Sequence, residues 1–379
     1  MKAVAVFPKT REIKVIDYEE PHITEPTHVK LRMLDVGVCG TDKEICSFQY
    51  GTPPAGSDYL IIGHESLGEV SEVGSAVSHV KPGDLVVTTV RRPCASPACL
   101  PCRSGFPDFC RTGDYTERGI KGEHGFMAEF VVDHENNMHV VPPELRNVAV
   151  LVEPLTIAEK AKEQVLQIIR RLPWVHPDTT RNMLNRQLKA VVLGAGPVGL
   201  LGALGLATAG WETYVYALPP APNPASTIID AIGAKYVSKG QLSPEKYEEF
   251  LGNIDLVYEA TGVSSLAFEA LKLLGPNSVF IFTGVPGRKA PIEVDTDRLM
   301  HNVVLKNLIL LGTVNADARA FDGAIHDLGT FNTRWPDALR ALITSRTPIE
   351  DAQDVLLGKT GGIKNVISLE QAHVLSPIR

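Results

Sequence analysis

The sequence predicts an α/β protein of two domains, an all-β, barrel-like domain followed by a parallel sheet built from βαβ units. Three observations carry this expectation. The first 150 residues hold short Val/Ile-rich or alternating segments punctuated by Gly and Pro, with little helical periodicity. From Leu188 onward the texture changes to apolar runs alternating with helical segments, as parallel strands joined by crossovers require. The 379-residue length suits two domains, each able to bury a core without disulfides.

Taken in order, 2–7, 12–16, 27–36, 67–73 and 84–90 read as strands. A helix is expected to start at Thr156, with Glu159 three residues later completing a capping box. Ile157, Ala161, Val165, Ile168 and Leu172 then follow helical spacing until Pro173. The polar stretch 174–187 reads as a linker. Strands are expected at 189–193, 213–216, 254–258, 278–282 and 308–311. The segment PPAPNPAS at 219–226 reads as a loop, and the last 60 residues read as mixed elements able to rejoin the first domain.

With 37 Lys+Arg against 44 Asp+Glu, the net charge of −7 argues against a nucleic-acid partner, which needs a basic face. The charge-free stretch 190–211 is long enough to span a bilayer. Its glycines and its proline make it a poor membrane helix and a good strand–turn–helix. No membrane association is therefore expected, and the apolar stretch near the start is too short for a secretory signal. All six cysteines fall between Cys39 and Cys110. Such clustering in a long chain favours metal ligation over disulfides and points to a cytoplasmic protein.

The run Gly194-Ala195-Gly196-Pro197-Val198-Gly199 follows an apolar strand and opens an apolar helix. The first glycine permits a tight turn, the second lets a pyrophosphate approach the backbone, and the third lets helix pack on sheet. The helix N-terminus then offers free N–H groups and a positive dipole end to the phosphates. An acid that would bind the ribose 2′-hydroxyl of NAD is missing, because Tyr216-Ala217-Leu218 stands in its place. Ser226 and Thr227 either donate to an NADP 2′-phosphate or cap the helix before Ile228. Both NAD and NADP stay open.

Cys94, Cys99, Cys102 and Cys110 give C-x4-C-x2-C-x7-C in a Pro/Gly-rich loop. Four thiolates from one short loop suit tetrahedral, structural zinc, with four free thiols or a disulfide pair as the alternatives. A second, dispersed set is Cys39 in VCGTD, His64-Glu65 in GHE and Glu153 in EPL. A catalytic zinc takes such mixed ligands and leaves one position open. Taken singly, Cys39 could be a core residue, His64 a turn histidine and Glu153 a surface acid.

The pattern GHESLGEVSEVGSAV at 63–77 follows CGTD and precedes the four-cysteine loop, and GAGPVG comes later. Together these resemble the zinc-containing medium-chain dehydrogenases along nearly the whole chain. TVRRP at 89–93, ERGIKGEHGFMAEF at 117–130, EP-x3-EKA at 153–161, EATG at 259–262 and GTVN at 312–315 are similar to the archaeal-type glucose dehydrogenase branch.

The resemblance implies a GroES-like catalytic domain over 1–186 that holds both zincs and is completed by 316–379. It also implies a Rossmann nucleotide-binding domain over 187–315, with a cleft between the two. Carried over, Cys39, His64 and Glu65 would hold catalytic Zn2+, with Glu153 a direct or water-mediated partner. Thr41 would relay a proton, and Glu117, Glu153 and Asn315 would contact a sugar. Thr261 and Gly262 would join Gly194, Gly196, Pro197, Val198 and Gly199 at the cofactor.

Two departures stand out. The first cysteine gap is four residues instead of two, and the arginines of the 2′-phosphate position are replaced by the proline-rich segment. The implied reaction is zinc-assisted oxidation of an aldose C1 hydroxyl, with hydride passing to NAD or NADP and a lactone formed. Glu117 could instead be a solvated charge paired with Arg118 or Lys121. A polyol or other sugar substrate, or a non-catalytic nucleotide-binding role, are the rival readings. The family also implies a homo-oligomer, a dimer or tetramer.

Overall fold

Residues 1–173, 187–240, 251–287, 291–358 and 360–370 are described by the computed structural model. They fall into two compact units, Met1–Glu153 with Ile343–Arg379, and Pro154–Leu342.

In the first unit most strand pairs are antiparallel, and two, one of them contributed by the far end of the chain, are parallel. The strands β1 (Lys2–Phe7) and β2 (Glu12–Asp17) form a hairpin, and β4 (Leu60–Ile61) pairs with the other edge of β1. The ten-residue β3 (His28–Gly37) is the spine of the larger sheet. Its Val29, Leu31, Met33, Leu34 and Val36 are all buried. Around it lie β5 (Glu65–Val73), β6 (Leu85–Thr88), β10 (Phe130–His134) and β11 (Met138–Val141). Two strands from the far end of the chain, β18 (Ile343–Pro348) and β19 (Lys364–Ser368), complete it. The order is β11-β6-β5-β3-β19-β18, with β10 also pairing β3. A small sheet of β7 (Arg91–Arg92), β8 (Thr116–Arg118) and β9 (Gly122–Glu123) stands apart.

The second unit is built on a parallel sheet. Its strands are β12 (Lys189–Leu193), β13 (Glu212–Ala217), β14 (Lys235–Ser238), β15 (Ile254–Glu259), β16 (Leu274–Phe282) and β17 (Ile309–Gly312). Among the described residues the order is β14-β13-β12-β15-β16-β17. The chain enters in the middle at β12, steps outward to β14, then crosses back to β15 and steps out the other way. This reversal opens a crevice at the carboxyl ends of β12 and β15, where α/β sheets bind ligands. The strands read as near-continuous apolar runs because helices cover them, and Val191, Leu193, Tyr214, Val257 and Phe280 share one core. The charge-free stretch 190–211 folds as β12, a turn and the helix Pro197–Thr208, and no described helix is long and apolar enough to cross a membrane.

Several expectations are corrected. The helix expected from Thr156 spans Val152–Ile169, so Thr156 lies in its interior, fully buried, and caps nothing. Pro154 sits in the first turn, where a missing N–H costs nothing, and so signals the true start. By compactness the units divide at 153/154 and 342/343. Ala158, Ala161 and Val165 of the Val152–Ile169 helix line one pocket with Gly202 and Gly205 of the next helix and Leu256 and Ile281 of the sheet. Lys162 reaches Asp327 on the helix Ala318–Arg334 at 2.5 Å. These packing contacts assign both helices to the parallel-sheet unit. The expected linker 174–187 lies outside the described residues except for its last one. Of the expected loop 219–226, the last three residues begin the helix Pro224–Ala231, capped by Asn223.

Candidate active and metal site

The four cysteines converge because a one-turn helix, Leu100–Arg103, and a 3-10 turn, Pro107–Phe109, fold the loop back on itself. Their Sγ atoms all lie within 4.8 Å of one another. The Cys99–Cys110 separation is 3.9 Å, and no cysteine of the chain is in a disulfide. A tetrahedron with Zn–S bonds near 2.3 Å has edges of about 3.8 Å, so the spacing fits zinc and not a disulfide. The backbone N–H of Arg111, followed by that of Cys102, holds the Cys99 thiol below its ordinary value. Burial, by contrast, pushes Cys102 up to about 12, so a metal must displace its proton.

The second cluster is assembled at the ends of β3 and β5. Cys39 precedes the short helix Gly40–Cys46, and its N–H donates to Asp42 Oδ2 at 2.8 Å. Glu65 opens β5, directly across from Gly37, and His64 immediately precedes it. A Cβ on Gly37 would fall 2.0 Å from Glu65 Oε2, so only glycine leaves room for that carboxylate. One ligand atom each from Cys39, His64 and Glu65 lies within 4.8 Å of the other two. His64 Nδ1 faces Asp42 Oδ1 at 3.4 Å, and neither atom has a hydrogen-bond partner among the described residues. With Nδ1 facing Asp42, Nε2 is the nitrogen left to bind a metal, and a carboxylate beside the other nitrogen is a common neighbour of a metal-binding histidine. Although burial would lower it, Asp42 and then Cys39 hold His64 well above the ordinary histidine value.

Behind the cluster lies a cation. Lys364 Nζ, on β19, donates to Glu65 Oε1 at 2.7 Å and Oε2 at 2.6 Å, and to the carbonyl of Val38 at 3.2 Å. Both side chains are essentially inaccessible to solvent. Burial would lower the lysine, but Glu65 and then Cys39 hold it above its usual value. Glu153, in the first turn of its helix, completes the set electrostatically. Burial, opposed by His64 and reinforced by Glu65, raises its carboxyl to about 7. Cys39, Asp42, Glu65 and Glu153 thus gather with His64 and Lys364, a donor set that a dication would suit.

The other expected residues fall as follows. Thr41 Oγ1 is 3.8 Å from Cys39 Sγ. Glu117, on β8, is buried, and its Oε1 accepts from Arg91 Nε at 3.0 Å and from a terminal nitrogen at 2.9 Å. Arg91, its neighbour across β7–β8, is thus an ion-pair partner of Glu117, while Arg118 pairs with Asp133 at 3.1 Å. The Arg91 guanidinium also stacks on Tyr115, 3.8 Å from the ring centre. Asn315 belongs to the second unit, with a left-handed backbone (φ 58°) and its Oδ1 accepting from Ala316 N.

In the glycine turn Gly194 has φ 106°, and a Cβ on Gly199 would fall 2.1 Å from Gly194 O. Gly196 precedes the helix begun by Pro197 and Val198. Thr261 and Gly262 follow β15 at the neighbouring strand end. Neither Ser226 nor Thr227 is the N-cap, which is Asn223; buried Ser226 is the other half of its capping box, accepting from Asn223 N and donating to Asn223 O. Asp42, Arg91 and Lys364 were missed from sequence. CGTD offered a signal for Asp42, an acid three residues into the helix that follows Cys39.

Comparison with known proteins gives concordant results. A family model described as "Glucose dehydrogenase C-terminus" matches residues 146–369, and one described as "Alcohol dehydrogenase GroES-like domain" matches residues 25–143. The chain is 40% identical over 370 residues to a glucose 1-dehydrogenase of Methanocella arvoryzae, covering 97% of this chain and 99% of that one. It is 37% identical to a glucose 1-dehydrogenase of Thermoproteus tenax, covering 98% and 100%. Among solved structures it resembles Haloferax mediterranei glucose dehydrogenase in complex with NADP, Zn and gluconolactone. That match has a TM-score of 0.86 and 32% identity, over 98% of this chain and 100% of the other.

Proposed function

The chain belongs to the glucose dehydrogenase branch of the zinc-containing medium-chain dehydrogenases, and from that membership we propose that it oxidises the C1 hydroxyl of an aldose, glucose first among them, to the aldonolactone with NADP or NAD as hydride acceptor. The observation that carries the reading is the convergence of Cys39, His64 and Glu65, whose ligand atoms lie within 4.8 Å of one another. Those three residues would hold the catalytic zinc, with Glu153 a direct or water-mediated partner, and the four-cysteine loop would hold a structural one. When bound, zinc supplies a Lewis acid that makes a sugar hydroxyl acidic near neutral pH, and the nicotinamide accepts the hydride.

The chain's own residues do the rest. Asp42 fixes the ring orientation of His64, and Lys364 restrains Glu65 by holding both its oxygens. Thr41, beside Cys39, offers a hydroxyl that can pass the sugar's proton outward. Glu117, Glu153 and Asn315 are the proposed sugar contacts, and Arg91 holds Glu117 in place through two hydrogen bonds to Oε1. Acceptance of NADP is supported by the end of β13, where Tyr216-Ala217-Leu218 provides no carboxylate to repel a 2′-phosphate. The exposed Lys239 lies beside that end, its N–H donating to Ala217 O at 3.0 Å.

A homo-oligomer is part of the same proposal. The helix Thr296–Leu305 buries none of its residues, exposes Met300, Val304 and Leu305, and leads into the sheet's terminal strand β17. The test of the whole reading is initial-rate cofactor reduction with glucose and other aldoses, with NAD and NADP in parallel, on protein assayed for zinc. Turnover of glucose with about two zinc ions per chain is expected. Zinc-loaded protein that reduces neither cofactor with any aldose would overturn the substrate assignment.

A further inference from the structure

Glu259 is the last residue of β15, paired with Leu193 of β12 on one side and Phe282 of β16 on the other. It therefore stands at the crevice where the strand order reverses, one strand from the glycine turn. Its side chain is buried, at 1% exposure, and among the described residues it has no ion-pair partner. Hydrogen-bond donors balance its charge instead. Oε1 accepts from Thr261 N at 2.6 Å, Thr261 Oγ1 at 2.6 Å and Gly262 N at 2.9 Å, and Oε2 accepts from Gly284 N at 3.2 Å. Its main-chain carbonyl accepts from Thr283 N at 3.0 Å and Thr283 Oγ1 at 2.6 Å.

One residue thus ties together the loops that leave β15 and β16. The two loops interlock closely. A Cβ on Gly284 would fall 2.1 Å from Gly262 N, and one on Gly262 would fall 2.6 Å from Val285 O. Thr261 in turn packs against the glycine turn, its Cγ2 lying 2.8 Å from where a Cβ on Gly194 would be. A buried carboxylate matched only by donors costs less than an unmatched one, but every lost donor leaves a charge partly unsatisfied.

We propose that Glu259 is a positioning residue for the dinucleotide: without touching it, the carboxylate holds the 260–262 and 283–285 loops in the one arrangement that leaves the glycine turn and its neighbouring strand ends open to the cofactor. The inference rests on the dinucleotide reading of that turn and adds to it a residue outside the glycine motif. A glutamine at 259 can keep the three donors on Oε1 but must turn its N–H toward Gly284 N, donor against donor. Glu259→Gln therefore releases one loop and spares the other.

The experiment titrates NADPH fluorescence on the zinc-loaded full chain and measures steady-state rates beside it. Glu259→Gln is expected to weaken NADPH binding about ten- to a hundredfold, the scale of a lost charged hydrogen bond plus a donor clash. Sugar KM and kcat at saturating cofactor should change by less than about threefold, because nothing at the metal cluster moves. Glu259→Asp serves as a second variant should the glutamine variant fail to fold: it keeps the charge but is one methylene too short to hold both loops, so it too should weaken NADPH binding. Wild-type affinity in Glu259→Gln, or in Glu259→Asp where the glutamine variant does not fold, overturns the inference. A wild-type chain that binds neither NADPH nor NADH overturns the dinucleotide reading itself, and this inference with it.

Discussion

Lys364→Met tests whether the charge balance behind the metal cluster has been read correctly. The lysine contacts both oxygens of Glu65, and the two side chains are 2% and 1% exposed, so water cannot replace the lost contacts. Removing one member of a buried pair typically costs about 3–5 kcal/mol, because the remaining charge is stranded. Here the stranded carboxylate would also face Asp42, Glu153 and Cys39, which places the cost toward the upper end of that range. A melting-temperature loss on the order of ten degrees follows for a chain of this size. Zinc would offset part of it, since a dication supplies the missing positive charge; the loss should therefore deepen after chelation. Adding Glu65→Gln to the lysine variant removes the stranded charge and should recover most of the stability. Thermal and urea unfolding of wild type, both singles and the double, with and without chelator, measure the cycle. A single variant within about 1 kcal/mol of wild type, or a double no more stable than the lysine single, would refute the argument.

Other outcomes follow from the same geometry. Cys39→Ala should abolish turnover while leaving cofactor binding measurable by fluorescence, and should lower the zinc content by one ion per chain; full activity in that variant would end the zinc mechanism. Glu159, within the second unit, is raised to about 7 by burial against the pull of Lys162. A carboxyl whose folded pKa is raised adds stability that is full below about pH 4.5 and is lost as pH rises through 7. Glu159→Gln should remove this decline, so its stability relative to wild type should rise between pH 5 and pH 8; urea unfolding at both values checks the sign.

What the sequence made legible was whatever depends on neighbours along the chain. The strands 2–7 and 189–193 lie where alternation and apolar runs put them, and the glycine turn lies where its spacing implies. The four-cysteine loop was readable for the same reason. Local signals misled where a stronger local rule competed. Thr156 and Glu159 mimic a capping box, but Pro154 shows that the helix has already begun. Ser226 resembles a helix cap, but Asn223 performs that task three residues earlier. Long-range electrostatics could not be read at all. Glu117 was matched with cations next to it in sequence, although its partner Arg91 lies 26 residues away across a strand pair. Lys364 carried no signal, because the acid it neutralises is 299 residues distant.

That last separation bears on how the protein is made. The parallel-sheet unit, Pro154–Leu342, is spliced into the other unit like a parenthesis within a sentence. On a ribosome the inserted unit emerges whole before the outer one has its final strand. Glu65 and Cys39 are already outside while 299 residues separate Glu65 from its lysine, a wait of about 15 to 60 s at ordinary synthesis rates. During that interval Glu65 lacks the cation that will hold both its oxygens, and the strand that carries Lys364 closes the cluster last.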